Sequence, residues 1–507
     1  MISFHEFFVL ICSIIAGYFT YKWYLYPLYL SPLRKLPGPP IDVPLMGNLL
    51  RLHRAEYGAI QLQWTEKYGG LLKYYGFFNL PRILVSDPKL VQHILVNNVY
   101  EYPKPSSLVS YLLPILGNGL LVAEGDVHKR QRKLMTPVFA FANIKEMIPI
   151  FAKPLHTLKK LWIELLENNK DGKEIQIDIM SFMSKATLDV IGLIGFDYQL
   201  NALTGNDELT SAYKMAFGTE NIPNMFFRIL SNHFPIFRKL PIRSNRETQK
   251  ASKIIDKVSM RLVKERKEAA IRGELKGNDL LTSLIKVNEQ QQNEEAKMSD
   301  VELQQQIMTF LAAGHETTSV AVTWAIWLLS KNRDAQDTLR KEIIEHFPDT
   351  DFVPNFDTIN SLEYLNCVVK ETLRIIPPVP VALRVSSKND TLNGYFIPKD
   401  TPVFIPIVAM HRLSSFWGPD AEEFVPSRWL DPKLAEKLSN FNYLPFLAGS
   451  RSCIGQKIAL SEFKVFLAML IRNFEFREIE GFNVKKELRI TWRPKPNLKC
   501  WVSRVKE

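Results

Sequence analysis

Apolar and polar positions along this chain fall into patterns that change from one stretch to the next. Residues 7–26 (FFVLICSIIAGYFTYKWYLY) are apolar almost without interruption and hold one charge, Lys22. Twenty residues at helical rise cover about 30 Å, the thickness of a bilayer core. Lys22 lies near the end, where its stem reaches the headgroups, and Trp23, Tyr24 and Tyr26 suit the interfacial aromatic belt. The stretch lacks the basic start and small-residue cleavage site of a secretory signal, so residues 1–30 are expected to anchor the chain in a membrane. No Lys or Arg precedes Lys22, whereas Arg34, Lys35, Arg51 and Arg54 follow, which places the bulk of the chain in the cytosol. Leu36-Pro37-Gly38-Pro39-Pro40 cannot continue a helix. It reads as a stiff connector over residues 31–45, leading to a body over 46–507.

Within the body, residues 71–86 (LLKYYGFFNLPRILVS) predict a strand, a Pro-containing turn and a second strand. From about 88 to 350 the periodicity is mostly helical. The polar stretch 288–298 (NEQQQNEEAKM) reads as a flexible surface loop. Ser299 and Glu302 form an S-x-x-E capping box that starts a helix with no stop signal until about Lys331. At about 1.5 Å per residue it spans some 45 Å, enough to cross a domain. A further helix is expected over 361–376, ended by Pro377-Pro378, then short strands over 390–408. The stretch 411–452 lacks periodicity and reads as ordered loop, and a last long helix covers about 454–473. Helix dominates and no strand–helix alternation is present, which argues against a doubly wound parallel sheet.

Composition narrows the classes. Hydrophobic residues make up 46% and charged residues 23% of the 507, which excludes a mainly disordered, collagen-like or polytopic membrane chain. Four cysteines, Cys12, Cys367, Cys453 and Cys500, are too few for a disulfide scaffold and point to a reducing compartment. A net charge of +11 fits an acidic membrane surface, an acidic protein or nucleic acid, and composition does not choose among them.

One loop concentrates candidate chemistry. In Phe446-Leu-Ala-Gly449-Ser-Arg451-Ser-Cys453-Ile-Gly455, a cysteine stands just before a long helix. The free N–H groups and positive end of that helix favour thiolate at its sulfur. Gly449 permits a tight turn, Gly455 removes a side chain where something approaches closely, and Arg451 adds a cation. A buried structural cysteine is the alternative reading of such a site.

The stretch resembles the haem-binding loop F-x-x-G-x-R-x-C-x-G of the cytochrome P-450 haem-thiolate monooxygenases. Five fixed positions in ten match by chance with a probability on the order of 10⁻⁴ in a chain this long. The resemblance implies that Cys453 is the axial thiolate of a haem b iron, whose electron donation favours O–O cleavage. It also implies that Arg451 pairs with a haem propionate and that Phe446 packs beside the sulfur. Further motifs follow in family order. Ala313-Gly314-His315-Glu316-Thr317-Thr318 resembles the oxygen-activation motif, with Glu316 and Thr317 relaying protons and Gly314 opening a groove for a small ligand. His315 occupies a position the family leaves variable, and a lone helical histidine is more often structural.

Glu371 and Arg374 match E-x-x-R and, with Arg428, are implied to form a buried structural network that holds the cysteine loop. By themselves, an i,i+3 pair of this kind is common and weak when exposed. His128 and Arg132 align with the W-x-x-x-R segment, with histidine in place of the usual tryptophan; both are implied to bind propionates, as is Arg384. A solvated basic patch is the other reading of residues 128–133. Phe310, Ala313, Val379 and Leu383, together with residues 105–122 and those near Thr491, are implied to line the substrate pocket. Plain core is their default role.

The resemblance covers nearly the whole chain. It implies a mainly α fold: a large helical domain with a small β-rich lobe, in addition to the N-terminal transmembrane helix. The function it implies is an endoplasmic-reticulum monooxygenase facing the cytosol and acting on a lipophilic substrate. The chain shows no flavin or dinucleotide fingerprint. Electrons are therefore expected from an NADPH-dependent flavoprotein reductase, with cytochrome b5 as a further donor, docked on a basic patch of Lys129, Arg130, Lys133 and Lys457. Residues 222–242 mix aromatics with Arg and Lys and are expected to dip into the membrane. An O₂-independent isomerase or lyase acting on peroxides, and a non-catalytic haem carrier or sensor, are the alternatives. Nucleic-acid binding is disfavoured because positive charge is dispersed and no reading motif is present.

Overall fold

Two compact units interleave along the chain: Met1–Pro105, Pro380–Glu422 and Ser439–Ser452 make the first, and Ser106–Val379, Glu423–Leu438 and Cys453–Glu507 the second. The structure, a computed structural model, describes residues 4–169, 173–205, 208–209, 211–212 and 243–505. The segment 222–242, expected to dip into a membrane, lies outside these residues.

The first unit opens with the apolar helix Phe4–Thr20, which continues as a wider π-helical stretch, Tyr21–Leu30, and a 3₁₀ turn, Pro32–Lys35. Phe4–Lys35 is long and apolar enough to cross a membrane and buries none of its apolar stretch in the protein. Lys22 lies over the Tyr18 ring and donates to its hydroxyl at 3.2 Å. Trp23, expected in a lipid-facing belt, instead stacks on Phe78 with ring centroids 4.0 Å apart, and its carbonyl accepts from the Asn79 amide at 2.9 Å. The proline-rich stretch is not a free connector. Leu33 and Leu36 are buried, and Lys73 donates to the Arg34 and Leu36 carbonyls at 2.6 Å each.

Behind this stretch lies a four-stranded sheet in the order Leu71–Tyr75, Pro81–Val85, Pro402–Ile405, Ala382–Val385. Pro81 and Pro402 each begin a strand, where a missing N–H costs least. The sheet buries Leu71, Ile83, Val85, Val403 and Ile405 in a core shared with Leu444 and Ala448.

In the second unit the capping box forms as expected: the Ser299 hydroxyl accepts from the Glu302 N–H and Glu302 reaches back to the Ser299 N–H, starting the 32-residue helix Asp300–Lys331. Helices Ile179–Phe196, Arg243–Ile271, Glu363–Ile375 and Gln456–Asn473 pack against it. Ile179–Phe196 is also long and apolar enough to cross a membrane, but most of it is buried inside the protein. The polar stretch 288–298 is clasped, because the Asn288 side chain exchanges hydrogen bonds with the N–H and C=O of Met298. Strands are short throughout. Those of this unit form a three-stranded sheet and the pair Lys485–Leu488 and Trp492–Lys495.

One packing detail departs from the sequence reading and one agrees with it. Gly314 does not open a groove, because a Cβ there would stand 2.8 Å from the Ile191 side chain. The glycine lets Ile179–Phe196 approach the long helix closely. Glu371 and Arg374, expected in a buried network with Arg428, are both fully buried. The Glu371 carboxylate accepts two bonds from Arg374 at 2.8 Å. It also accepts from Arg428, the Trp429 indole and the Val425 N–H, each at 2.9 Å.

Replacing Glu371 with alanine leaves two guanidinium groups without their counter-charge, and should lower unfolding free energy by about 3–5 kcal/mol, read from the denaturant midpoint. Gly314→Val forces Ile191 to shift and should cost about 1–3 kcal/mol, relieved in part by a simultaneous Ile191→Ala.

Candidate active site

The long helix is buried along its centre with one interruption. From Gln306 to Ile326 every residue is buried except Ala313, Gly314 and Thr317, of which Ala313 is exposed and the other two half-buried. Ala313 and Thr317 are four residues apart and share a helix face. The Thr317 hydroxyl donates to the Ala313 carbonyl at 2.8 Å, leaving its oxygen lone pairs free for a further partner. Small residues at the middle of a buried helix thus leave space beside a hydroxyl. The space coincides with the motif singled out in the sequence.

Glu316, one residue away, points elsewhere. Its buried carboxylate accepts from the Thr491 hydroxyl at 2.6 Å and is gripped by both Arg493 Nε and an Arg493 terminal nitrogen. Burial pushes this carboxyl up, but the Arg493 guanidinium and the hydrogen bonds more than offset it, so Glu316 lies below the usual carboxylate range. A carboxylate held ionised in an ion pair is a poor proton donor. That weakens the expected relay from Glu316 and leaves Thr317 as the motif residue at the opening. Thr491, expected near a pocket, is buried and serves as the second partner of Glu316. Arg493 carried no sequence signal. His315 is buried with Nδ1 2.7 Å from the Leu311 carbonyl, a structural role.

Cys453 precedes the helix Gln456–Asn473. Its surface is accessible, yet protein atoms crowd the sulfur enough that burial pushes the thiol up. The Gly455 N–H, hydrogen-bonded to the sulfur, and the charge of Arg132 pull the other way without prevailing. The helix end and the nearby cation lower the thiol as expected, and desolvation, which leaves no trace in the spacing, opposes them. A Cβ on Gly455 would meet only Phe139, at 4.0 Å, so the room it leaves is not filled by protein within the second unit. Phe139 also packs edge-on against Phe310, with centroids 5.6 Å apart, and so connects the cysteine segment to the long helix. Sequence reasoning missed Phe139. His128 is buried and Arg132 half-buried on the helix Gly125–Met135.

Of the expected basic patch, Lys129, Lys133 and Lys457 are exposed. Arg130 is not available to it, because Arg130 pairs with Glu302 and donates to the Lys297 carbonyl. Val379 is exposed.

The remaining expected residues belong to the first unit. Gly449 has φ +76°, and a Cβ there would stand 2.3 Å from the Leu95 carbonyl oxygen, so only glycine fits. Arg451 is nearly buried and lies over the Tyr100 ring at 5.1 Å. Phe446 is half-buried. Arg384 is buried on the strand Ala382–Val385, next to half-buried Leu383.

The family model described as cytochrome P-450 matches residues 37–501. The chain is 37% identical over 480 residues to cytochrome P-450 monooxygenase 128 of Postia placenta, covering 88% of this chain and 87% of that one. It is 34% identical over 494 residues to cytochrome P-450 monooxygenase sphH of Aspergillus fumigatus, covering 95% and 90%. A third relative, cytochrome P-450 monooxygenase claP of Ampulloclitocybe clavipes, is 33% identical over 494 residues, covering 92% and 90%. With the family model spanning all but the two ends of the chain, and with these relatives matched along most of their lengths, this protein belongs to the cytochrome P-450 family of haem-thiolate monooxygenases.

Proposed function

We propose that this chain is a membrane-anchored monooxygenase that inserts one oxygen atom from O₂ into a lipophilic substrate, with Cys453 as the thiolate ligand of haem b. Haem b held by a cysteine thiolate is the cofactor of the family. The observation that carries the assignment to Cys453 is its setting: an exposed residue before the helix Gln456–Asn473, with its sulfur hydrogen-bonded by the Gly455 N–H. Cys367 and Cys500 are buried, with thiols pushed up to about 11 and about 12, and Cys12 lies in the N-terminal apolar helix.

The residues present fit the group. Cys453 supplies a soft anionic donor once its proton is displaced by the metal. The room left by Gly455 suits a flat ring. Arg132, His128, Arg384 and Arg451 are the candidates to hold the propionates. The bound haem would supply oxygen activation and transfer. The chain would bind and orient the apolar substrate with Phe310, Ala313, Val379 and Leu383, exclude bulk water, and hold a proton at the Thr317 hydroxyl.

Phe4–Lys35 would hold the protein in the endoplasmic-reticulum membrane with the body, residues 46–507, in the cytosol. The following Arg34, Lys35, Arg51 and Arg54 support that orientation. Lys129, Lys133 and Lys457 would receive an NADPH-dependent flavoprotein reductase, or cytochrome b5, through its acidic groups.

The reduced protein with carbon monoxide should give the thiolate-type Soret difference band, and Cys453→Ser should abolish it; a band that survives the substitution refutes the assignment. Added salt should raise the apparent KM for the reductase, since the patch is exposed and screened. A KM independent of ionic strength refutes the docking patch.

A further inference from the structure

The strand Trp492–Lys495 is fastened to the long helix at two levels. The Trp324 indole donates to the Trp492 carbonyl at 2.7 Å. Two turns earlier on the helix, Thr491 and Arg493 hold Glu316. Thr491 and Arg493 are two residues apart, so extended backbone presents both on one side. The pairing is built: the Glu316 side chain is 8% exposed and that of Arg493 14%. Arg493 Nε donates to one Glu316 carboxylate oxygen and a terminal Arg493 nitrogen to the other, the bidentate fork that Lys cannot reproduce.

Resting on the monooxygenase reading above, we propose that Arg493, with Thr491 beside it, is a positioning residue for oxygen activation. It clamps the Glu316 carboxylate onto the strand pair Lys485–Leu488 and Trp492–Lys495, fixes it as an anion, and leaves the Thr317 hydroxyl as the group presented at the opening in the helix.

The other charged groups around Glu316 do not replace this partner. His315, its chain neighbour, is held neutral by burial. On the strand pair, Glu487 is taken by Arg489 and Lys495. On Ile179–Phe196, Asp189 accepts from the Ala202 and Leu203 N–H groups, and Lys185 is the remaining charge. On Gln456–Asn473, burial holds Glu462 well above the usual carboxylate range, against a hydrogen bond with Thr318, and the Lys464 ammonium bonds Asn360. On Glu363–Ile375, Glu371 and Arg374 pair with each other. On Arg243–Ile271, Asp256 accepts from Gln304.

Because the clamp holds Glu316 below its ordinary value, its contribution to stability is present at neutral pH and fades as pH falls through that depressed value. Without Arg493 the desolvation is uncompensated and drives the carboxyl neutral at higher pH.

The test uses the full haem-loaded chain as wild type, Arg493→Ala, Arg493→Lys, Thr491→Val, and Arg493→Ala combined with Glu316→Gln. Infrared difference spectra across pH read the C=O stretch of a neutral carboxylic acid. Arg493→Ala should show this band near neutral pH, wild type should not, and Glu316→Gln should remove it. The acidic limb of the turnover profile should move to higher pH, with a loss of turnover of about a hundredfold at neutral pH. Thr491→Val should move both in the same direction by less, and Arg493→Lys, which keeps the charge without the fork, should restore only part of the wild-type profile. A spectrum of Arg493→Ala without the band, or a turnover profile that only scales down without moving, overturns the proposal. The infrared band is independent of the cysteine assignment, so failure of the Cys453→Ser test and failure of this one are separately legible.

Discussion

A buried carboxylate, Glu371, sets the constraint on which the helical unit depends. An isolated charge in a protein interior is prohibitively unfavourable, so every oxygen lone pair must find a donor. Here the donors come from the same helix one turn on, Arg374, and from the separate stretch Val425–Trp429. The Arg374 guanidinium in turn reaches the Glu423 carbonyl at 2.8 Å. A loop with no regular hydrogen-bond ladder is thereby held by charge instead. Directional bonds to one point fix a loop where apolar packing alone would leave it free to slide.

The helix Asp300–Lys331 repeats the device at Glu316, where Arg493 and Thr491 provide the compensation. In both places an arginine meets a carboxylate through paired bonds. The two differ in what lies beside them. Glu371 is enclosed by its partners, whereas Glu316 adjoins the break in burial at Ala313 and Thr317 at the centre of its helix. An ion pair next to open space sits where its field acts on whatever enters. That is the setting in which desolvated charge has the largest effect per group.

Much of this was legible in the sequence because the signals are short-range. The Ser299–Glu302 box, the strands around Pro81, and the cysteine loop each lie within about fifteen residues, and all appear where expected. The P-450 family is the one that the loop around Cys453 pointed to. What the sequence hid is mostly long-range. Arg493 lies 177 residues from Glu316 and carries no motif, so nothing in its neighbourhood distinguishes it from a solvated strand residue. Gly314 seemed to make room for a ligand because its contact with Ile191, from another helix, has no local trace. Arg130 looked like one more surface cation until Glu302 was found opposite it. At Cys453 the helix end and the nearby charge of Arg132 were readable from spacing, whereas the burial that opposes them was not.

The stack of Trp23 on Phe78, with the Asn79 amide bonded to the Trp23 carbonyl, has a consequence for how the protein is handled. The end of the apolar helix is also a packing piece of the first unit. Trimming the N-terminus past Trp23 to obtain a soluble form would bare the face of an aromatic ring and orphan an amide in one cut. Adhesion of such a truncated protein to detergent or lipid would then arise from the newly uncovered turn, and should not be mistaken for a second membrane-binding element.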